Sequence, residues 1–213
     1  MDIQATRDKV LLAALPHVPF DGWTLGALRH GVADAGLTPD MARRAFPGGM
    51  AEVAAHFSDY ADRRMLAELE KRDLPGLRVR DRIATTVRVR LEQNAPHREA
   101  VRRLLSFLAL PFNAGLAARC TWRTVSAMWY AAGDEATDFN FYTKRALLTP
   151  VYTTTVLYWL ADDSEGFADT WGFLDRRIGD VMRIPGLTAR LRKALPACPS
   201  PLSAFRAAAQ RRE

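Results

Sequence analysis

The chain has 213 residues, of which 48% are apolar and 25% charged; this balance excludes intrinsic disorder and is enough to bury a sizeable core. Two cysteines, Cys120 and Cys198, exclude a disulfide scaffold and any cysteine-based zinc cluster. The net charge of +6 is concentrated at one end: residues 183–213 hold seven basic side chains and one acidic, whereas residues 1–64 hold seven basic and eight acidic.

Helical periodicity runs through nearly the whole chain. Residues 5–15 place Val10, Leu11, Ala14 and Leu15 on one face, and Pro16 and Pro19 are expected to close that helix. Residues 24–34 predict a second short helix with Thr24 as N-cap, ended by Gly36. A third, very short one follows with Thr38 as cap and Pro39 at its first position, until Pro47-Gly48-Gly49 breaks the chain. Three short helices with a tight turn before the third have helix-turn-helix geometry.

A long helix is expected over 50–72, with Val53, Phe57, Tyr60, Ala61, Met65 and Leu69 at three- and four-residue steps. Residues 77–91 alternate in a strand-like way, but a lone strand has nothing to pair with, so the segment is read as helix. Pro96 starts the next helix, Pro111 interrupts it, and residues 114–132 carry it on to Gly133. Further helices are predicted over 138–160 and 167–183, the second with Asp163 or Ser164 as cap. Beyond it Pro185, Pro196, Pro199 and Pro201 are expected to divide the tail into short pieces. The fold class is all-α, with a helix-turn-helix-like head at 1–47, a larger bundle at 48–184 and a basic amphipathic tail at 185–213.

Catalytic signatures are missing. His17, His30, His56 and His97 do not sit at helical metal-ligand spacings, and His30 and His56 are expected to make local hydrogen bonds. There is no G-x-S-x-G, no phosphate loop and no G-x-G-x-x-G, so no enzyme, cofactor or metal is expected. No window reaches the ~20 apolar residues of a membrane span. Met1 to Lys9 has neither a signal-peptide nor a presequence layout, which gives the expectation of a cytoplasmic, bacterial protein.

Two segments stand out. From Asp138, the aromatics Phe139, Phe141 and Tyr142 crowd a helix start beside Lys144 and Arg145. Adjacent aromatics cannot both face inward, so Phe141 or Tyr142 is expected near the surface, in the manner of a partner hot spot; the alternative is cap plus core. The same helix then turns apolar nearly all round through Leu148, Val151, Tyr152 and Trp159, with a kink expected at Pro150. Set beside Leu104, Leu105, Leu108 and Leu116, it forms either a packed core or the wall of a lipid pocket. In the tail, Leu191, Lys193, Leu202, Phe205 and Arg206 combine an apolar stripe with cations, as an interfacial helix does.

Several long phrases occur in order: 14–24 (ALPHVPFDGWT), 128–134 (MWYAAGD), 137–146 (TDFNFYTKRA), 162–164 (DDS), 167–171 (FADTW) and 173–178 (FLDRRI). Together they resemble the lipid-binding accessory family of ubiquinone biosynthesis across most of residues 7–184. The resemblance implies a homodimer with the fold of TetR-type regulators that does not repress transcription. It implies binding of isoprenoid lipid or phospholipid, peripheral association with the inner membrane, and presentation of the lipid to a di-iron hydroxylase. The family's hydroxylase contact matches Asp138, Phe141 and Tyr142, with Phe141 standing where many relatives carry Trp. The competing reading is a TetR-type regulator with a hydrophobic effector. Against it, the segment 39–46 offers only Arg43 and Arg44 to DNA, Gly48-Gly49 replaces the usual Ser-Lys, and the head nets −1.

Overall fold

The structure is a computed structural model that describes residues 2–134 and 139–194, the side chains of 139–140 and 184–194 excepted. It has two compact units, Met1–Asp175 and Arg176–Glu213. All regular elements among the described residues are helical.

The head is built from α1 (Ile3–Ala14), α2 (Val18–Asp21), α3 (Leu25–Asp34) and α4 (Met41–Ala45). Asp2 caps α1 by accepting the Gln4 N–H at 2.9 Å, and Thr24 caps α3 by accepting that of Ala27 at 3.3 Å. Pro19 does not close a helix as expected; it starts the one-turn α2, where its fixed φ suits the first turn. Thr38 is likewise not the cap of α4, which begins after Asp40. α1 and α3 pack almost backbone to backbone. A Cβ on Gly31 would stand 2.6 Å from the backbone of Ala14. Gly31→Ala should therefore force the helices apart and cost roughly 1–3 kcal/mol. Thermal denaturation measures this, and an unchanged midpoint would contradict the close crossing.

α5 (Gly49–Leu69) runs from the head into the body. Arg7 ties its start down, donating from Nε to the Ala45 carbonyl at 2.7 Å and pairing with Glu52 at 2.6 Å. Further along, Asp8 accepts from His56 at 2.8 Å and from both Arg63 Nη groups at 3.0 and 2.7 Å.

In the body, α6 (Val79–Asn94) and α8 (Ala114–Ala131) pack on α5, α7 (Arg98–Leu108) packs on α8, and α9 (Phe139–Ala161) packs on α8 and α6. The ambiguous segment at 77–91 is mostly α6. Thr86, Val87, Arg90, Leu91 and Asn94 form its buried stripe at helical spacing, and the strand-like alternation came from Val89, which is buried as well. α9 continues through Pro150 as one helix. The hydroxyls of Thr153, Thr154 and Thr155 bond to carbonyls one turn back, at 2.9, 2.6 and 2.7 Å. α9 is not buried all round: Leu157 and Tyr158 are exposed.

Asp162 joins α9 to α10 (Ala168–Ala194). Its carboxylate accepts the hydroxyl and backbone N–H of Ser164 at 2.6 and 2.8 Å, and those of Thr170 at 2.5 and 2.8 Å. Burial alone would raise its pKa, but the four donors outweigh burial and hold it at about 2. Ser164 also caps, accepting the Asp169 N–H at 3.1 Å. α10 does not stop near Arg183 as expected; its backbone runs through Pro185 to Ala194. Leu202, Phe205 and Arg206 of the expected interfacial stripe lie outside the described residues, and of Leu191 and Lys193 only the backbone is described.

Candidate functional site

A cavity of about 310 Å³ opens between α5, α6, α7, α8 and α9. Its apolar wall includes Phe57, Leu91, Val101, Leu104, Leu105, Leu108, Val156 and Trp159. The α9 positions that line it, Tyr152, Thr153, Val156, Leu157 and Trp159, fall on one face of the helix.

One side of the cavity is polar. Arg90 and Asp62 are almost wholly buried and stand 3.1 Å apart. Arg90 donates from Nε to the Tyr152 hydroxyl at 2.9 Å and from Nη2 to Thr124 at 3.3 Å; Thr124 in turn donates to Asp62 at 2.9 Å. Burial opposes the charge on Arg90, but Tyr152 and Asp62 beside it more than offset this, and its pKa is raised. Cys120 also lines the cavity, and burial pushes its thiol pKa up, away from the nucleophilic thiolate.

A second feature lies on the surface where α8 and α9 pack. The Tyr142 ring, 61% exposed, stacks on Trp122, 39% exposed, with ring centroids 6.3 Å apart. Half-buried Phe141 meets Tyr142 edge-on at 5.1 Å and lies 6.5 Å from Trp122. Beneath them, Asp134 holds Lys144 at 2.6 Å and Arg145 at 3.1 Å. Trp129 donates its indole N–H to the Lys144 carbonyl at 3.1 Å.

Comparison with known proteins shows two kinds of likeness. The ubiquinone biosynthesis protein COQ9 of rat and that of human, both described as mitochondrial, are each 36% identical over 196 residues. These alignments cover 86% of this chain and 61% and 59% of the relatives. The COQ9 family model matches residues 114–185. Over most of its length the chain is similar to these COQ9 proteins. It spans about three fifths of the length of these COQ9 relatives. A TetR transcriptional regulator from Nitrosomonas europaea superposes with a TM-score of 0.68 at 24% identity, covering 84% of this chain and 98% of its own; this likeness is one of fold.

Within this COQ9-like chain, the expected pocket residues divide. Leu104, Leu105, Leu108, Tyr152 and Trp159 line the cavity. Leu116, Leu148 and Val151 are buried but do not line it. Leu116 and Leu148 sit one turn before the lining residues Cys120 and Tyr152, beyond the end of the cavity. Val151 is rotated about 100° from Tyr152, off the stripe. The polar partners Arg90, Asp62 and Thr124 were not anticipated, because they come from three helices and no local pattern joins them.

The expected partner patch is also revised. Of Phe141 and Tyr142, one of which was expected near the surface, Tyr142 is the outward ring and Phe141 is half-buried, whereas Arg145 is only 4% exposed. Its guanidinium lies on the Phe141 ring, 3.4 Å from the centroid, and donates to the Phe141 carbonyl at 3.0 Å. Arg145 thus supports the patch from inside. Lys144 remains partly exposed, and Asp138 lies outside the described residues. Trp122 joins the patch from α8, twenty positions before Tyr142 in the sequence, a separation no sequence periodicity bridges.

In the head, α4 is five residues long, and its exposed Arg44 stands 3.6 Å from Asp40. The head also brings His17, Asp21 and His30 within 4.8 Å of one another on the surface. Each imidazole already meets a carboxylate, His17 that of Asp34 at 2.6 Å and His30 that of Asp21 at 3.1 Å. Helical spacing rules do not detect such a cluster, which spans two helices. Among the described residues no single helix is long and apolar enough to cross a membrane.

Proposed function

We propose that this chain is a non-enzymatic, homodimeric lipid-binding protein of ubiquinone biosynthesis. It takes an isoprenoid lipid into the cavity and presents it to a membrane-associated di-iron hydroxylase docked on Trp122 and Tyr142. The observation that carries this reading is a largely apolar cavity and an exposed aromatic patch set on the same two helices, α8 and α9. Tyr142 and Tyr152 are ten residues apart on α9, or ~15 Å along its axis, so ligand and docked partner are neighbours. The names of the relatives supply the pathway.

A route for the lipid is at hand. Leu105 and Leu108 line the cavity from the last turns of α7, and directly after them come Leu110 and Phe112, which are 40% and 80% exposed. Exposed apolar side chains beside a lipid cavity suit contact with a bilayer surface.

The test is native mass spectrometry of protein purified from a bacterial host, with extraction of whatever lipid is bound. An isoprenoid lipid should accompany the protein, and Leu105→Trp should displace it by filling the cavity. A protein that neither carries lipid nor takes it up from vesicles is not a lipid presenter.

A further inference from the structure

The head carries a cluster of side chains that neither the cavity nor the aromatic patch uses. His17, Asp21 and His30 each present a ligand atom within 4.8 Å of the others, and Asp34 lies against His17. The four residues form two pairs. His17 and Asp21 are one turn apart across α2, where the Asp21 N–H donates to the His17 carbonyl at 2.9 Å. His30 and Asp34 are one turn apart at the end of α3. The pairs are crossed: an Asp34 oxygen lies 2.6 Å from Nε2 of His17, an Asp21 oxygen lies 3.1 Å from Nδ1 of His30, and the two imidazole rings stand 5.0 Å apart.

The backbone beneath the cluster is held in place. Gly22, at φ 68°, makes the turn between α2 and α3. Beside it Trp23 is buried and donates its indole N–H to the Ala100 carbonyl at 3.0 Å, while Arg103 donates to the Pro19 carbonyl at 3.1 Å. The ligand groups therefore need only small side-chain rotations to converge. A tetrahedral zinc ion places neighbouring ligand atoms about 3.4 Å apart. Closing from 4.8 Å or less is at most about 1.4 Å of movement.

The donor set selects the ion. Imidazole favours zinc and its transition-metal neighbours, whereas magnesium and calcium take oxygen ligands. Charge agrees: with both imidazoles neutral, two carboxylates and one divalent ion sum to zero. Protons on both imidazoles would instead place like charges on rings 5.0 Å apart, in exposed ion pairs that stabilise little.

We propose that His17, Asp21 and His30 ligate a zinc-class divalent ion, with Asp34 supplying the second carboxylate, on the ion or on the outer nitrogen of His17. The ion clasps α2 to α3. The test is titration calorimetry of the untagged full-length chain with zinc chloride and, separately, magnesium chloride. Zinc should bind once per chain with a Kd of about 10 µM or tighter, and magnesium should not bind at the same concentrations. His17→Ala and His30→Ala should each weaken zinc binding at least about a hundredfold, and Asp34→Asn about tenfold or more. His30 is 60% exposed, so its variant should keep the full helical circular dichroism. His97→Gln and Cys198→Ser, which remove zinc-binding groups elsewhere in the chain, should leave the affinity unchanged. Zinc binding that survives both histidine variants, a zinc Kd weaker than about 10 µM, or equal affinity for magnesium overturns the site.

Discussion

Asp62→Ala should destabilise the protein by about 3–5 kcal/mol, the cost of leaving a buried guanidinium without its counter-charge. Asp62 and Arg90 are 5% and 6% exposed, so water cannot take over when the carboxylate is removed. Thr124 would lose its acceptor at the same time, since its hydroxyl donates to both Asp62 oxygens, at 2.9 and 3.1 Å. Urea unfolding followed by circular dichroism measures the loss, and a cost below about 1 kcal/mol would refute the role of the pair. The neighbouring Arg123, which reaches Asp62 at 3.3 Å from a position 43% exposed, gives the contrast. Arg123→Ala should cost less than about 1 kcal/mol, as surface ion pairs do. Replacing both members of the buried pair, Asp62→Leu with Arg90→Met, should recover much of the loss, because no charge is then stranded.

Tyr142→Ala and Trp122→Ala should each weaken binding to the di-iron hydroxylase about thirtyfold, corresponding to about 2 kcal/mol for an aromatic hot-spot residue. Tyr142 is 61% exposed, so its removal should leave stability within about 0.5 kcal/mol and the helical circular dichroism intact. Titration calorimetry with the hydroxylase reads the effect directly; full affinity in both variants would rule out this patch as the docking surface. Arg145→Ala should behave differently. Its guanidinium is buried against Phe141 and Asp134, so binding and stability should fall together. The contrast between the variants separates contact from support.

Much of this protein was legible from residue order. The 3.6-residue spacing of apolar side chains requires helices, and Thr24 marks the start of α3, because a hydroxyl beside the first free N–H groups is a local device. The phrases around 128–146 and 162–178 carried the likeness to COQ9 proteins. The adjacency of Phe141 and Tyr142 required one ring near the surface, since neighbouring side chains on a helix point about 100° apart. Each of these is a relation within a few residues along one helix.

Tertiary packing decided the rest. Leu148 and Tyr152 share a stripe, but only Tyr152 reaches the cavity, whose end is set by neighbouring helices. Arg145 follows Tyr142 and Lys144 in a charged, aromatic phrase that reads as surface. It turns inward because Asp134, from the other side of the α8–α9 connection, offers it a partner. Arg90 looks solvated in an arginine-rich segment, and only the approach of α5, α8 and α9 supplies the Asp62, Thr124 and Tyr152 that make its burial tolerable. Local sequence specified the helices because backbone hydrogen bonding and caps act over three or four residues. Which faces meet, and so where the cavity and the patch lie, depends on side chains brought together from far apart in the chain, a matter of packing that no single helix encodes.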